Sequence, residues 1–422
     1  MIIHKFGGAS LSTIDRIKQT GAIAAEIKEE QVLIVISAMG KTTNALEKVA
    51  EAFFNHHKEE ALMLFTKIKE HHLTIAKYLL VQTYNETERQ LADFFTEIEW
   101  LLHDEPVKGF DYYYDQIVCI GELLSSAIVS AYFREEGIPN TWIDVRDILR
   151  TDDKFREAAI DWEYSLGKVK NSLLPLLADS PLLITQGFIA ATDENESTTL
   201  GREGSDYSAA VFANMLDAES VTIWKDVEGV LNADPREFPE ATLIPALNYR
   251  EVIEMAYYGA QVIHPKTIKP LQNKNIPMYV KCFLDPGLPG TLIHNKGIKG
   301  LPPIIVVKKE QVLMELSSKD FSFTGDQSGT FYQLFHDLNI RPNLTQNGAI
   351  SFICLLDDYP EKTEQLALSL LDDFEVQIEK GLTLFTVRHY HEDLTEQLQQ
   401  HKQVVLKQQT PETIRIVVRS GT

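Results

Sequence analysis

Two short stretches of the chain hold the residue types that handle phosphate. The first is Lys5-Phe6-Gly7-Gly8-Ala9-Ser10, which follows an apolar run at the start of the sequence. Gly7 and Gly8 leave backbone amides uncovered beside the Lys5 ammonium, an arrangement suited to phosphoryl oxygens. The second is Gly201-Arg202-Glu203-Gly204-Ser205-Asp206, which joins a guanidinium, two acids and a predicted helix start. Arg202 has the planar fork that holds a carboxylate. Ser205 and the adjacent amides can cap an anion, and Asp206 can orient Lys5 or a phosphate-bound metal. A plain helix cap at Ser205 or Asp206 explains those two residues equally well. Taken together, the two stretches point to phosphoryl transfer.

Other segments offer weaker chemistry. Ser37-Ala38-Met39-Gly40-Lys41-Thr42-Thr43-Asn44 follows a predicted strand, where small and hydroxyl-bearing side chains can hold a polar substrate. A cap at Thr42 or Thr43 is the simpler reading. The segment is no P-loop, because Val35 stands where the upstream glycine is required. Glu122 faces either solvent or a substrate ammonium. In the turn-rich stretch after Trp224, Asp226, Gly229 and Asp234-Pro235-Arg236 can present a guanidinium to nucleotide phosphates. His264, between an apolar pair and a proline, reads as a buried structural histidine. His56, His57, His71 and His72 fall on predicted helical surfaces and make no metal-ligand set. Three widely spaced cysteines, Cys119, Cys282 and Cys354, suggest neither disulfides nor zinc.

These residues need elements to position them. Residues 1–6 read as strand, 12–28 as helix and 32–36 as a buried parallel strand. Residues 44–104 are mostly helical, and a helix over 117–136 precedes a strand at 141–145. Strand 181–188, a polar loop at 191–196, helix 206–216 and strand 220–224 follow. Helix 249–259 and strand 277–282 come next. This alternation predicts a three-layer α/β domain of roughly 300 residues. It lacks the GxGxxG turn of dinucleotide folds. Gly and Pro concentrate over 287–303, which reads as a linker. Beyond it come strands 304–308 and 312–317, helix 329–338 and strand 349–355. Strand 382–388, helix 392–400 and strands 404–407 and 414–418 complete two small β-α-β units in tandem.

The 422 residues include 61 acidic and 40 basic side chains, a formal charge of −21. Such a field repels nucleic acid and anionic membrane, so any phosphate site must be built locally. The longest apolar runs are strand-length, and the start lacks a basic region followed by an apolar core, so a cytoplasmic location is expected.

With these segments in view, the chain resembles aspartate kinase, of the amino acid kinase superfamily. The resemblance rests on Lys5-Phe6-Gly7-Gly8, the 37–44 loop, Gly121-Glu122-Leu123-Leu124-Ser125 and Asp144-Val145-Arg146. It continues through Thr185-Gln186-Gly187-Phe188, residues 198–206, Asp226 to Val230, Ala233 to Arg236, residues 259–265 and Gly290-Thr291-Leu292. The resemblance implies a three-layer αβα, carbamate kinase-like fold over 1–300, with an aspartate-binding lobe and a nucleotide lobe from about 207. It implies transfer of the γ-phosphoryl of ATP, with Mg²⁺, to the β-carboxylate of L-aspartate, the first step toward lysine, threonine and methionine. By resemblance Lys5 stabilises the phosphoryl group and Asp206 organises the centre. Arg202 clamps the substrate α-carboxylate, Glu122 meets its ammonium, and Ser37, Thr43 and Ser205 line the same pocket. Gly7, Gly8, Lys225, Asp226, Leu231, Arg236 and Gln261 fall where the family holds nucleotide.

Some positions depart from the family pattern. Ala9 replaces threonine, Glu203 glycine, Lys225 threonine, Leu231 tyrosine and Gln261 lysine. Glu203 is expected to partly neutralise Arg202, and Lys225 or Lys266 to compensate for Gln261. Residues 301–422 resemble tandem ferredoxin-like α+β ACT domains that bind effectors and pair subunits, with 326–331 as the effector entry. The second unit is reduced, and Gln346-Asn347 depart from the usual small hydroxyl residues. A homodimer joined through this module, with weak or altered feedback, is therefore expected. The competing readings are an impaired amino-acid-sensing subunit and a kinase for another carboxylate such as glutamate.

Overall fold

Apolar β-branched runs at the start of the chain set its first sheet. In the computed structural model, which describes residues 1–27, 31–180, 182–260, 262–325 and 327–419, β1 (Ile2–Phe6) and β2 (Val32–Ile36) are buried along their whole length. Burial on both faces requires helices on both sides of the sheet. The two strands pair in parallel, with Lys5 opposite Val35. They are joined through α1 (Ile14–Glu26), whose N-terminus is capped by Thr13 accepting from the Arg16 N–H.

A helical block follows, formed by α2 (Thr42–Phe54), α3 (Lys58–Leu79) and α4 (Tyr84–His103). The helix expected over 117–136 is two helices, α5 (Phe110–Val118) and α6 (Ile120–Glu135), which meet at Cys119. Every residue of α6 from Ile120 to Phe133 is buried, so it is a core helix without a polar face. By length and composition the stretch Phe110–Glu135 is apolar enough to cross a membrane, longer than the strand-length runs read from the sequence. Its 94% burial inside the protein accounts for that apolarity.

The strand expected at 141–145 shortens to β3 (Thr141–Trp142). Short helices α7 (Trp162–Lys168) and α8 (Leu174–Asp179) lead to β4 (Leu182–Gln186). The polar 191–196 segment turns a small hairpin of β5 (Ile189–Ala191) and β6 (Ser197–Thr199). Then come α9 (Gly204–Met215), β7 (Ser220–Lys225), β8 (Ala246–Asn248), α10 (Tyr249–Tyr258), α11 (Pro265–Lys274), β9 (Met278–Cys282) and β10 (Thr291–His294). The sheet order is β3-β4-β2-β1-β7-β9-β10-β8. All neighbours are parallel except β9 and β10. Strand β10 lies inside the stretch read as a linker, too short for its alternating burial to stand out.

The chain divides into two compact units. One holds residues 1–230, 243–253 and 261–299, and the other 231–242, 254–260 and 300–422. Strands β11 (Ile304–Ser318), β12 (Leu344–Asn347), β13 (Ser351–Asp357), β14 (Phe374–Arg388), β15 (Gln403–Gln409) and β16 (Thr413–Arg419) of the second unit form a single antiparallel sheet. Its order is β12-β13-β11-β14-β16-β15, so the two expected β-α-β units share one sheet. Helices α12 (Ser328–Asp337), α13 (Pro360–Leu368) and α14 (Glu392–Gln399) complete the unit. The two strands expected at 304–308 and 312–317 are one strand, because the charged Lys309-Glu310 pair is a register shift and not a turn. Strand β14 begins eight residues before the expected start. Its first half pairs with β11 alone and carries exposed polar residues, which masks it in the sequence. The sheet curls until Gln408 of one edge strand donates to the Thr345 carbonyl of the other at 2.9 Å.

Candidate active site

Strands β1 and β7 lie side by side, with Phe6 opposite Trp224. The chain leaves β1 toward β2 and leaves β7 toward β8, which lies beyond β9 and β10, on opposite sides of the pair. Their C-terminal ends therefore border the crevice that a switch in strand order creates. Lys5 stands next to last in β1, and Lys225 is the last residue of β7. Trp224 donates its indole N–H to His4 Nδ1 at 3.0 Å, bracing the two strands. Burial, with Lys281 adding to it, lowers the His4 pKa to about 4, so the ring is a neutral acceptor.

Both lysines reach Asp206, in the first turn of α9. Lys5 Nζ lies 2.6 Å from Oδ1, and Lys225 Nζ lies 3.3 Å from Oδ2. The Lys5 contact is a close ion pair between two buried groups. Burial pushes the Asp206 pKa up, but Lys225 and Lys5 outweigh it and hold the carboxyl below its ordinary range. Lys225 also donates to the Val262 carbonyl at 2.5 Å. Burial opposes its charge, and Asp206 prevails and raises its pKa.

Helix α9 begins at Gly204, so Ser205 and Asp206 are not its cap but its buried first turn. The N-cap, Glu203, supplies no side-chain cap. Among the described residues the Ser205 and Asp206 amides have no backbone acceptor, which leaves them for an anion. Gly187 permits this placement: a Cβ there would sit 2.6 Å from Ser205 Cβ and 2.7 Å from its Cα.

Glu203 does not neutralise Arg202. Its backbone is left-handed, at φ 52°, and its carboxylate accepts from the His264 N–H at 2.8 Å. A left-handed position is one that glycine occupies without strain, consistent with the family's usual residue. The exposed Arg202 guanidinium makes no ion pair or hydrogen bond among the described residues. His264 is half-buried and accepts from the Lys266 N–H, so it caps α11 and is not a core residue.

The 37–44 loop closes against the Gly8 turn. A Cβ at Gly8 would lie 2.8 Å from the Ala38 carbonyl and 2.9 Å from that of Gly40. The Gly40 N–H donates to the Gly8 carbonyl at 3.0 Å, and the Ser37 N–H to the Phe6 carbonyl at 3.1 Å. From α6, Ser125 donates to the Ser37 carbonyl at 2.6 Å. Glu122, 2% exposed, accepts from the Ala38 N–H at 3.2 Å through Oε1. Its Oε2 has no partner. Burial raises its pKa to about 8, against the Ala38 amide and Lys5, which pull it down. Thr42 turns its hydroxyl back to the Met39 carbonyl at 2.7 Å. The half-buried Thr43 makes no such bond.

The nucleotide-side candidates are divided. Lys5, Gly7, Gly8, Lys225 and the exposed Asp226 belong to the first unit, and Leu231 and Arg236 to the second. Arg236 is exposed and pairs with Asp234 at 2.7 Å. Gln261 lies outside the described residues. Lys266 donates to the Leu200 carbonyl at 2.9 Å, with its ammonium 4.7 Å from the Tyr207 ring centre.

One buried acid escaped the sequence reading. Asp115 accepts from the Thr199 N–H at 2.8 Å, the Thr199 hydroxyl at 2.7 Å and the Arg156 N–H at 2.9 Å. It thereby anchors the strand that leads into Leu200-Gly201-Arg202. Burial raises its pKa to about 6, against those three donors. Nothing in its tyrosine-rich surroundings marks it in the sequence.

The model of the amino acid kinase family matches residues 1–282. Lysine-sensitive aspartokinase 3 of Escherichia coli (strain K12) is 31% identical over 395 residues, 91% of this chain and 86% of that protein. The chloroplastic bifunctional aspartokinase/homoserine dehydrogenase 1 of Zea mays is 33% identical over 294 residues, 69% of this chain. The chain spans about a third of the length of that bifunctional relative, 32%. Two crystal structures of E. coli aspartokinase III are similar over 99% of this chain and 96% of theirs. The complex with lysine and aspartate, called T-state, has a TM-score of 0.83 at 27% identity. The complex with aspartate and ADP, called R-state, has a TM-score of 0.79 at 28% identity. On the family match over residues 1–282 and these similarities along nearly the whole chain, the chain belongs to the amino acid kinase family, among its aspartokinases.

Proposed function

We propose that the protein is an ATP-dependent aspartate kinase that converts L-aspartate to 4-phospho-L-aspartate, the step that opens lysine, threonine and methionine synthesis. The observation that carries this reading is the Lys5–Asp206–Lys225 cluster beside the unpaired Ser205 and Asp206 amides. Two ammonium groups are held together at this point of a protein of charge −21. That favours a polyanionic nucleotide phosphate.

The β-carboxylate of aspartate is already ionised at neutral pH, so the reaction needs alignment and charge neutralisation more than a base. In this reading Lys5 and Lys225 meet the charge on the transferring phosphoryl oxygens, and Asp206 holds both ammonium groups in place. The unpartnered Arg202 clamps the α-carboxylate. The orphaned Glu122 Oε2 accepts from the α-ammonium, with Ser37, Thr43 and Ser205 around it. Gly7, Gly8 and Asp226 border the phosphates, and Arg236, Leu231 and Gln261 are the more remote nucleotide positions. Among the described residues no group of three or more His, Cys, Asp or Glu forms a metal site. Mg²⁺ bound by ATP phosphates and water needs few protein ligands, so the residues present fit a metal that arrives with the nucleotide. It supplies charge neutralisation there.

Residues 1–300 serve as the catalytic region and 301–422 as the ACT-like module in this reading, and the protein works in the cytoplasm as a homodimer paired through that module. Exposed Phe321, Phe323 and Ile350 support the pairing. The Ser318 N–H bonds the Ile350 carbonyl and Thr324 bonds the Gly348 carbonyl, which places all three side chains around one loop system. Light scattering should report a dimer, and Phe321→Ser with Phe323→Ser should shift it to monomer.

The kinase reading is tested by ADP release from MgATP with L-aspartate, L-glutamate or no acid. Release specific to aspartate is expected. Release with glutamate alone, or with no acid at all, would replace this reading.

A further inference from the structure

Helix α3 presents Leu64, Lys67, Ile68, His71 and His72 at helical spacing along one face. With Lys41 and Lys48, at the start and in the body of α2, this face bounds a cavity of about 640 Å³. The lining is unlike the rest of the chain. Acidic residues outnumber basic ones by 61 to 40, yet three lysines and two histidines line this cavity and no carboxylate does. Among the described residues the ammonium groups of Lys41, Lys48 and Lys67 have no ion pair or hydrogen bond. Nearby lysines do find partners: Lys69 pairs with Glu99 at 2.8 Å, and Lys58 donates to the His103 carbonyl at 2.5 Å.

His72 also borders this cavity. It was expected on the helix surface, but it is wholly buried. Its Nδ1 lies 2.7 Å from the Ile68 carbonyl. A carbonyl only accepts, so Nδ1 carries the hydrogen, and Nε2 on the far edge of the ring is left as an acceptor. That Nε2 has no partner. Burial holds the ring neutral, with its pKa lowered to about 4 against the Ile68 bond and with the help of His71.

We propose that this cavity is a second ligand site, apart from the Lys5–Asp206 centre, for a small organic anion. Its charged head meets Lys41, Lys48 and Lys67, and its apolar body packs on Leu64 and Ile68. Lysine ammonium groups bind such a head as point charges and accept carboxylate, phosphate or sulfonate alike.

The probe is 8-anilino-1-naphthalenesulfonate, which carries an anionic head and an aromatic body. Fluorescence titration of the full chain should show one saturable site per chain, retained in saturating MgATP. Lys48→Glu with Lys67→Glu should weaken it at least ~10-fold. Lys18→Glu with Lys77→Glu, the same charge change at exposed positions outside the cavity, should leave it within about twofold. Displacement by MgATP, equal loss in both lysine pairs, or no loss in either would overturn the proposal.

Discussion

Lys5 and Lys225 close on opposite oxygens of one buried carboxylate, Asp206, at 2.6 and 3.3 Å. The two lysines share this carboxylate, and Glu203 and Asp226 also act on Lys225. A substrate phosphate that enters the crevice meets two ammonium groups already held in place.

Removing Lys5 should damage turnover more than binding. Lys5→Ala is expected to lower kcat about 100-fold or more, the usual cost of losing one such electrostatic contact, with a smaller rise in the KM for aspartate. Steady-state kinetics check this, and an unchanged kcat would move phosphoryl stabilisation to Lys225 or elsewhere.

Arg202→Lys should act on the other substrate. It keeps the charge and loses the bidentate fork, so the KM for aspartate should rise about 10-fold while that for ATP stays within about twofold. A matching rise for ATP would place Arg202 on the nucleotide.

Glu122 predicts a pH dependence. Its pKa of about 8 leaves it mostly protonated in the ligand-free protein at neutral pH. An arriving α-ammonium needs the carboxylate, so aspartate binding should release a proton and the KM for aspartate should fall as pH rises through 8. Calorimetry in buffers of different ionisation enthalpy reads the proton directly. Stability has the opposite sign. The folded protein keeps a proton that the unfolded chain loses above the ordinary value of 4.5, so this group's stabilisation is full below that value and is lost as pH rises toward 8. Glu122→Gln should flatten both profiles, and an unchanged profile in either measurement would remove Glu122 as its source.

Asp115→Ala should cost about 1–3 kcal/mol in denaturant unfolding, because three donors lose a buried acceptor. A change under about 0.5 kcal/mol would mean that water replaces the carboxylate.

The first sheet is written plainly in the chain. The apolar runs of β1 and β2 need no tertiary information to read as buried parallel strands, and the glycines after β1 mark where that strand ends. Lys225 is harder. Its meeting with Lys5 depends on β7 lying beside β1 in register, which no local pattern carries. Glu122 was legible as a candidate, but its burial was not, because a helix buried all round shows no periodic polar face. His72 was misplaced for the reverse reason: a histidine pair reads as polar, although one ring faces the core. In the second unit the charged Lys309-Glu310 step looked like the end of a strand, and only pairing with β14 shows that the strand continues.

The central claim, phosphoryl transfer to the side-chain carboxylate of aspartate, is tested most directly by trapping the product with hydroxylamine. Incubation of the protein with MgATP, L-aspartate and hydroxylamine should give L-aspartate β-hydroxamate in a one-to-one ratio with ADP, as expected for a single acyl phosphate per turnover. ADP without hydroxamate, or the α-hydroxamate in place of the β, would contradict the account.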